Sequence, residues 1–254
     1  MSKTVFLGMS GGVDSSVSAI LLKNQGYKVV GVYMKNWSKD LPGMKCPWAE
    51  DLADAKRVAV KLDLDFMVFD FEKAYKEKVV DYMLAEFKAG RTPNPDVMCN
   101  EEIKFKLFFE EAMKCGADYI ATGHYAKSEN GQLKLAKDAN KDQTYFLYRI
   151  SKDAVAKTLF PLADLKKPEV KKLAAEAGLA NAYKKESMGV CFVGEVGMKD
   201  FLKVGGISGL ESFVRNIAYM LMIARMVNMV GEQGTYWVAN NFIWGWLLLP
   251  VLQL

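Results

Sequence analysis

The chain has 254 residues, with 34 basic and 30 acidic side chains and a formal net charge of +4. This length excludes a peptide-scale scaffold and admits one large domain or two small ones, and so slight a positive charge is no nucleic-acid signature by itself. Four cysteines (Cys46, Cys99, Cys115, Cys191) without short regular spacing exclude a disulfide scaffold and a paired-CxxC zinc site, leaving reduced, reactive or buried thiols. No metal site built by the protein alone is expected.

In chain order, residues 4–9 form a short β-rich apolar run. A Gly-Gly turn then leads into Val17, Ile20, Leu21 and Leu22, spaced for a helix that Gly26 ends. Residues 28–34 read as a second strand, 49–62 as a helix and 65–70 as a third strand. Helical patterns follow over 72–89 and 101–115, and residues 118–123 return to the sheet. Asn130-Gly131 marks a small hairpin. Residues 168–178 read as a surface helix with an early proline and a closing glycine. This alternation predicts an α/β fold with a doubly wound parallel sheet whose site lies at the strand C-termini.

Composition changes sharply near Gly205-Gly206. Residues 207–254 hold only four charged side chains, and the 22 residues after Glu232 hold none. The expected division is therefore a domain over residues 1–204 and a hydrophobic, helical tail over 205–254. The uncharged stretch is long enough to enter a bilayer. Against insertion stand Asn240, Asn241, Gln253, Pro250 and the lack of a positive flank. Membrane association through 207–254 and a misplaced or buried tail both remain open. At the other end, a polar glycine-rich stretch interrupts the apolar run too soon for a signal peptide, so the chain is expected to be cytoplasmic.

Three segments carry chemistry. Ser10-Gly11-Gly12-Val13-Asp14-Ser15-Ser16 sits where the first strand meets the first helix. Glycines there let the backbone approach a phosphate, and the helix start aims amide donors at an anion. No lysine follows, so this is not the P-loop of ordinary kinases. A tight turn with a serine cap is the plainer reading. Asn94-Pro95-Asp96-Val97-Met98-Cys99 is an extended proline loop that puts Cys99 at a helix start, where the dipole lowers a thiol's pKa. An inert buried cysteine competes with that reading. Glu186–Gly194 is a short apolar stretch around Cys191, for which core packing is the alternative.

The first segment resembles the loop of the PP-loop ATP pyrophosphatases, which convert ATP to AMP and pyrophosphate on a fold of the adenine nucleotide alpha hydrolase type. The second resembles the motif of the tRNA-specific 2-thiouridylases. That likeness extends through Met34-Lys35-Asn36-Trp37, Ala49-Glu50-Asp51, Thr122-Gly123-His124-Tyr125 and Lys141-Asp142-Gln143-Thr144-Tyr145-Phe146-Leu147, and covers about residues 3–203. It implies a tRNA-uridine 2-sulfurtransferase. ATP with Mg2+ would lie on Gly8, Met9, Ser10, Gly11, Gly12, Val13, Asp14 and Ser15, with Met34 and Gly123 beside the adenosine. The target uridine would enter near Asn94, Pro95 and Asp96, and Lys141, Asp142 and Gln143 would contact the tRNA. Cys99 and Cys191 would be catalytic, Cys191 carrying persulfide sulfur from a donor protein.

Plainer readings stand beside several of these positions. Asp96 can be a loop-capping residue, the 141–143 turn a solvated loop, and His124, the only histidine, a structural one. The Lys166-Lys167, Lys171-Lys172 and Lys184-Lys185 pairs read as phosphate-following or as solvated helix faces. Another PP-loop pyrophosphatase, such as an amide-forming synthetase, and an inactive membrane-associated fragment are the alternative functions. After Lys203 the sequence departs from the thiouridylases, whose central and C-terminal β domains it does not continue into. Residues 211–254 faintly resemble part of a MATE-type efflux transporter through Met226-Val227-Asn228 and 237–242.

Overall fold

The computed structural model describes residues 2–39 and 46–184. Cys191 with its flanking motif, the expected boundary at 204 and the hydrophobic tail lie outside the described residues. Five strands form one parallel sheet in the order β3-β2-β1-β4-β7: β1 (Thr4–Gly8), β2 (Lys28–Lys35), β3 (Asp65–Asp70), β4 (Tyr119–Ala121) and β7 (Thr158–Leu159). A separate hairpin pairs β5 (Lys127–Glu129) with β6 (Gln132–Lys134), and Asn130 and Gly131 both take positive φ at its turn (51° and 72°).

The sheet is doubly wound because its strands are apolar on both faces. Val5, Leu7 and Met9 of the first strand and loop pack with α1 (Val13–Asn24), α2 (Trp48–Lys61) and α8 (Lys167–Glu176). The alternate residues Phe6, Val30, Val32 and Ile120 face the other layer. That layer contains α3 (Glu72–Tyr75), α4 (Asp81–Lys88), α5 (Pro95–Met98) and α6 (Phe108–Lys114), with the wide π-type segments Lys76–Val80 and Cys99–Leu107 between them. Ile103 and Phe108 are fully buried there, and each such side chain contributes about 1.5–3 kcal/mol by leaving water.

Sequence periodicity locates the long elements to within a residue or two. It passes over a 3-10 turn at Thr144–Leu147, α7 (Lys152–Ala156) and β7, because two to five residues are too few to show a period. The helix expected from 101 starts earlier, at Pro95, since Asn94 caps it. Among the described residues no helix is long and apolar enough to cross a membrane.

The order in which strands are added reverses at β1: β2 follows β1 on one side, whereas β4 joins β1 on the other. In doubly wound sheets the crevice beyond the strand C-termini at such a point is where ligands bind. Gly8, Met34, Lys35, Thr122 and Gly123 end or follow these strands.

Candidate active site at the strand carboxyl ends

The glycine loop leaves β1 against the neighbouring strand β2. Met9 N–H donates to the Val32 carbonyl (2.8 Å), and a Cβ on Gly8 would stand 2.8 Å from Met34 Cε, so Met34 lies against the loop's entry. Gly11 has φ +74°, and a Cβ there would come within 2.4 Å of the Asp51 carbonyl, so no other residue fits. Gly12 differs. Beyond its chain neighbours, the described atom that a Cβ on it would meet is Ser10 Oγ, at 3.3 Å, so among the described residues its backbone borders open space. Gly12 is the N-cap of α1 and supplies no side-chain cap, an arrangement that suits an anion at the helix start. Ser15 and Ser16 turn their hydroxyls inward to the Gly12 carbonyl (3.0 and 2.9 Å).

Gly123 brings the loop after β4 to the same place. A Cβ there would stand 2.8 Å from Ser15 N, so the two backbones touch. Two residues on, Tyr125 Oη donates to Asp14 Oδ1 (3.0 Å). Both Asp14 carboxylate oxygens also accept from Lys167 Nζ at 2.7 Å. Lys167 is buried, and its own N–H donates to Asp138 Oδ2 (2.8 Å). That bond, with others from the backbone amides of Asn140 and Lys141, holds the Asp138 carboxyl below its usual range despite its desolvation. His124 Nδ1 lies 2.9 Å from Thr122 Oγ1, and its ring centroid lies 5.7 Å from that of Phe105. Burial, then the positive charge of Lys104, pushes its pKa well below the ordinary histidine value.

The proline loop is attached to this frame by backbone bonds. Asn94 Oδ1 accepts from Asp96 N (3.1 Å) and Val97 N (3.2 Å), and Pro95 takes the first helical position, where no N–H is needed. Asp96 is exposed and is not the capping residue; Asn94 is. Cys99 lies a full turn beyond the helix start, buried (4 % exposed) among Ile103, Phe105 and Phe108. The helix-start dipole therefore acts on it less than its sequence position suggested. Next to it, Asn100 Nδ2 donates to the Phe146 carbonyl (3.2 Å). Gln143 and Tyr125 bond reciprocally: Tyr125 N to Gln143 Oε1 (3.0 Å) and Gln143 N to the Tyr125 carbonyl (2.8 Å). Asp142 closes its own turn, accepting from Ala136 N and from Thr144. Lys141 N–H donates to the Asp138 carbonyl.

Residues 3–195 match the model of a family described as the tRNA methyl transferase HUP domain. The chain belongs to that family. It is 56% identical over 203 residues to the tRNA-specific 2-thiouridylase MnmA of Streptococcus agalactiae, covering 78% of this chain and 54% of that protein. Proteins of the same name from Lactobacillus delbrueckii and Shouchella clausii are each 55% identical over 203 residues, which is 78% of this chain and 54% and 56% of theirs. The chain thus spans about half the length of the curated relatives it matches. Solved structures with some likeness include an NH3-dependent NAD synthetase from Campylobacter jejuni (TM-score 0.46, 18% identity, 92% of this chain and 86% of that one). Another is a 4-thiouridine synthetase–RNA complex with bound ATP (TM-score 0.45, 17% identity, 72% and 43%).

In this HUP domain the residues singled out from sequence fall into two groups. Gly8 to Ser15, Met34 and Gly123 converge on one loop. Asn94 to Cys99 belong to a second segment, which Asn100 and Phe146 tie to the turn containing Gln143, and Gln143 in turn ties to Tyr125. Sequence reasoning missed three partners of the first group. Lys167 belongs to a basic pair that composition assigns to solvent or phosphate, yet Lys166 is exposed and Lys167 buried on Asp14. Tyr125 stands in a recognised motif without a role of its own. Asn181, whose Nδ2 donates to the Gly11 carbonyl (2.8 Å) and Ser16 Oγ (2.9 Å), carries no local signal at all.

Proposed function

We propose that residues 1–204 are the ATP-using catalytic domain of a tRNA-uridine 2-sulfurtransferase, with 205–254 a separate hydrophobic tail. The observation that carries this reading is the single hydrogen-bonded frame linking the glycine loop, through Asp14, Tyr125 and Gln143, to the turn beside Asn100 and Cys99. It joins an anion-binding loop to a cysteine segment, as activation and sulfur transfer on one substrate require. The names of the relatives at 55–56% identity support the same reading.

ATP suits the loop on physical grounds. Among the described residues Gly12 borders open space, and it begins α1 without a side-chain cap. Met34 and Gly123 flank the loop where an adenosine would continue from the phosphates. Among the described residues no group of three or more His, Cys, Asp or Glu side chains can hold a metal by itself. A magnesium ion arriving with the nucleotide needs only one or two carboxylates besides phosphate oxygens, and Asp14 can supply one. Its ammonium partner Lys167 then stands beside the phosphates.

In this reading the C2 oxygen of the uridine attacks the α-phosphorus, and pyrophosphate leaves. Backbone amides of the loop and the Lys167 charge stabilise the departing phosphates. A donor protein supplies sulfur as a persulfide on Cys191. The Cys99 thiolate attacks the inner sulfur, so that sulfide is released toward C2 and displaces AMP, and the two cysteines finish as a disulfide that an external reductant reopens. Asn94, Pro95 and Asp96 border the target base, and Lys141 to Gln143 meet the tRNA. The setting is cytoplasmic.

The test is tRNA-dependent pyrophosphate release from ATP by the full chain, with thiolated uridine scored in parallel for Cys99→Ser and Cys191→Ser. Pyrophosphate release by all three proteins, with thiolation lost in both variants, is the expected result. Thiolation surviving in Cys99→Ser would return that residue to an inert core thiol, and amide formation without need of either cysteine would favour a synthetase.

A further inference from the structure

We propose that Asn181 is a positioning residue for the nucleotide loop: its side-chain amide sets which way the Gly11–Gly12 peptide faces, and so keeps Gly12 N–H on the Ser10 side of the loop, where a phosphate oxygen can take the place of the Ser10 hydroxyl as its acceptor. The inference rests on the reading of that loop as an ATP site, and goes beyond it by placing a determinant of the loop's geometry some 170 residues away in sequence.

The orientation of the amide follows from its partners. Asn181 is buried (4 % exposed), and one end of its side chain lies 2.8 Å from the Gly11 carbonyl and 2.9 Å from Ser16 Oγ. A carbonyl only accepts, and the Ser16 hydroxyl already donates to the Gly12 carbonyl (2.9 Å). Both contacts therefore need a donor, which only the NH2 end supplies. The backbone around Asn181 is fixed in turn: Leu179 and Ala182 are buried in the core layer of α1 and α8, Ala182 N–H donates to the Leu179 carbonyl and Lys184 N–H to that of Asn181.

In a planar trans peptide the carbonyl of one residue and the N–H of the next point in opposite directions. Holding Gly11 C=O against Asn181 thus turns Gly12 N–H the other way, where it donates to Ser10 Oγ (3.4 Å). Two adjacent glycines offer little intrinsic resistance to rotation of the peptide between them. Rotated, that peptide would present a carbonyl oxygen to an anion instead of a donor. Asn181 supplies the resistance that the Gly-Gly pair lacks.

The experiment is titration calorimetry of the full chain with inorganic pyrophosphate, ATP and adenosine, for the wild type, Asn181→Asp and Asn181→Ala. The carboxylate of Asn181→Asp faces the Gly11 carbonyl with no donor, so pyrophosphate and ATP should weaken at least tenfold while adenosine changes less than twofold. Asn181→Ala removes the donor without adding repulsion, keeps the test available if the aspartate variant fails to fold, and should show the same pattern to a smaller degree. Unchanged pyrophosphate affinity in the folded variants overturns the proposal, as does equal weakening of all three ligands, which marks a purely structural role. A wild type that binds none of the ligands instead refutes the ATP reading and removes the premise.

Discussion

The Asp14–Lys167 pair makes a quantitative prediction, because its two ends are unequally buried. The Lys167 side chain is 8% exposed and that of Asp14 32% exposed, and both carboxylate oxygens lie 2.7 Å from the ammonium. A paired buried charge gives little net stability relative to an apolar pair, but removing one partner strands the other and commonly costs about 3–5 kcal/mol. Asp14→Ala takes both 2.7 Å carboxylate contacts from the more buried ion. Tyr125 Oη is only 3.0 Å from the deleted oxygen and cannot replace its charge, so the loss should be about 3 kcal/mol. Lys167→Met keeps the packing of the aliphatic stem and strands the carboxylate, which water and Tyr125 still reach, so the loss should be smaller, about 2 kcal/mol. The double variant should be more stable than the sum of the single losses implies, with a coupling of about 1–3 kcal/mol. Equilibrium urea unfolding of the four proteins, followed by far-UV circular dichroism, measures all three quantities. Additive losses, or single losses each below about 0.5 kcal/mol, would show that this contact behaves like an exposed surface pair and refute the reasoning.

Two further outcomes follow from groups around the same site. Burial, reinforced by Lys104, keeps His124 neutral in the fold, whereas the unfolded chain takes up its proton near the ordinary value of 6.5. Stability from this residue is therefore complete above pH 6.5 and declines below it, with a slope approaching about 1.4 kcal/mol per pH unit until the folded form also protonates. Urea midpoints from pH 8 to 5 should lose that slope in His124→Gln, and an unchanged profile would mean that the ring is hydrated in the fold. Asn94→Ala removes the acceptor for the Asp96 and Val97 amides and should cost about 1 kcal/mol. Because the helix carrying Cys99 starts from that cap, amide exchange at 96–98 should quicken more than exchange in α1, and uniform exchange across both would refute the capping role.

What could be read from the sequence and what could not divide along a physical line. Strand–helix alternation, the Asn130-Gly131 turn and the positive-φ glycines are local requirements, and each leaves its mark within a few residues. The glycine loop is legible for the same reason, since Gly11 and Gly12 answer to constraints at their own positions. Long-range partners leave no such mark. Lys167 and Asn181 reach Asp14 and Gly11 across 153 and 170 residues, and nothing in Lys166-Lys167-Pro168 distinguishes the buried lysine from its exposed neighbour. Only the register of α8 decides it: Val170 and Ala174 face the core at a spacing of four, and Lys167, three residues before Val170, falls on the same stripe. A basic residue on an apolar stripe is a signal that can be sought in advance, because an ammonium placed there must find a buried carboxylate. Asn181 offers not even that stripe, standing in a turn beyond α8. Its contribution becomes visible only when the Gly11 carbonyl is asked where its hydrogen bond goes. Most of the chemistry-bearing side chains are therefore local to their motifs, while two of the groups that hold the glycine loop, Lys167 and Asn181, come from the last described segment of the chain. Substitutions at 167 and 181 should alter the glycine loop as strongly as substitutions within it.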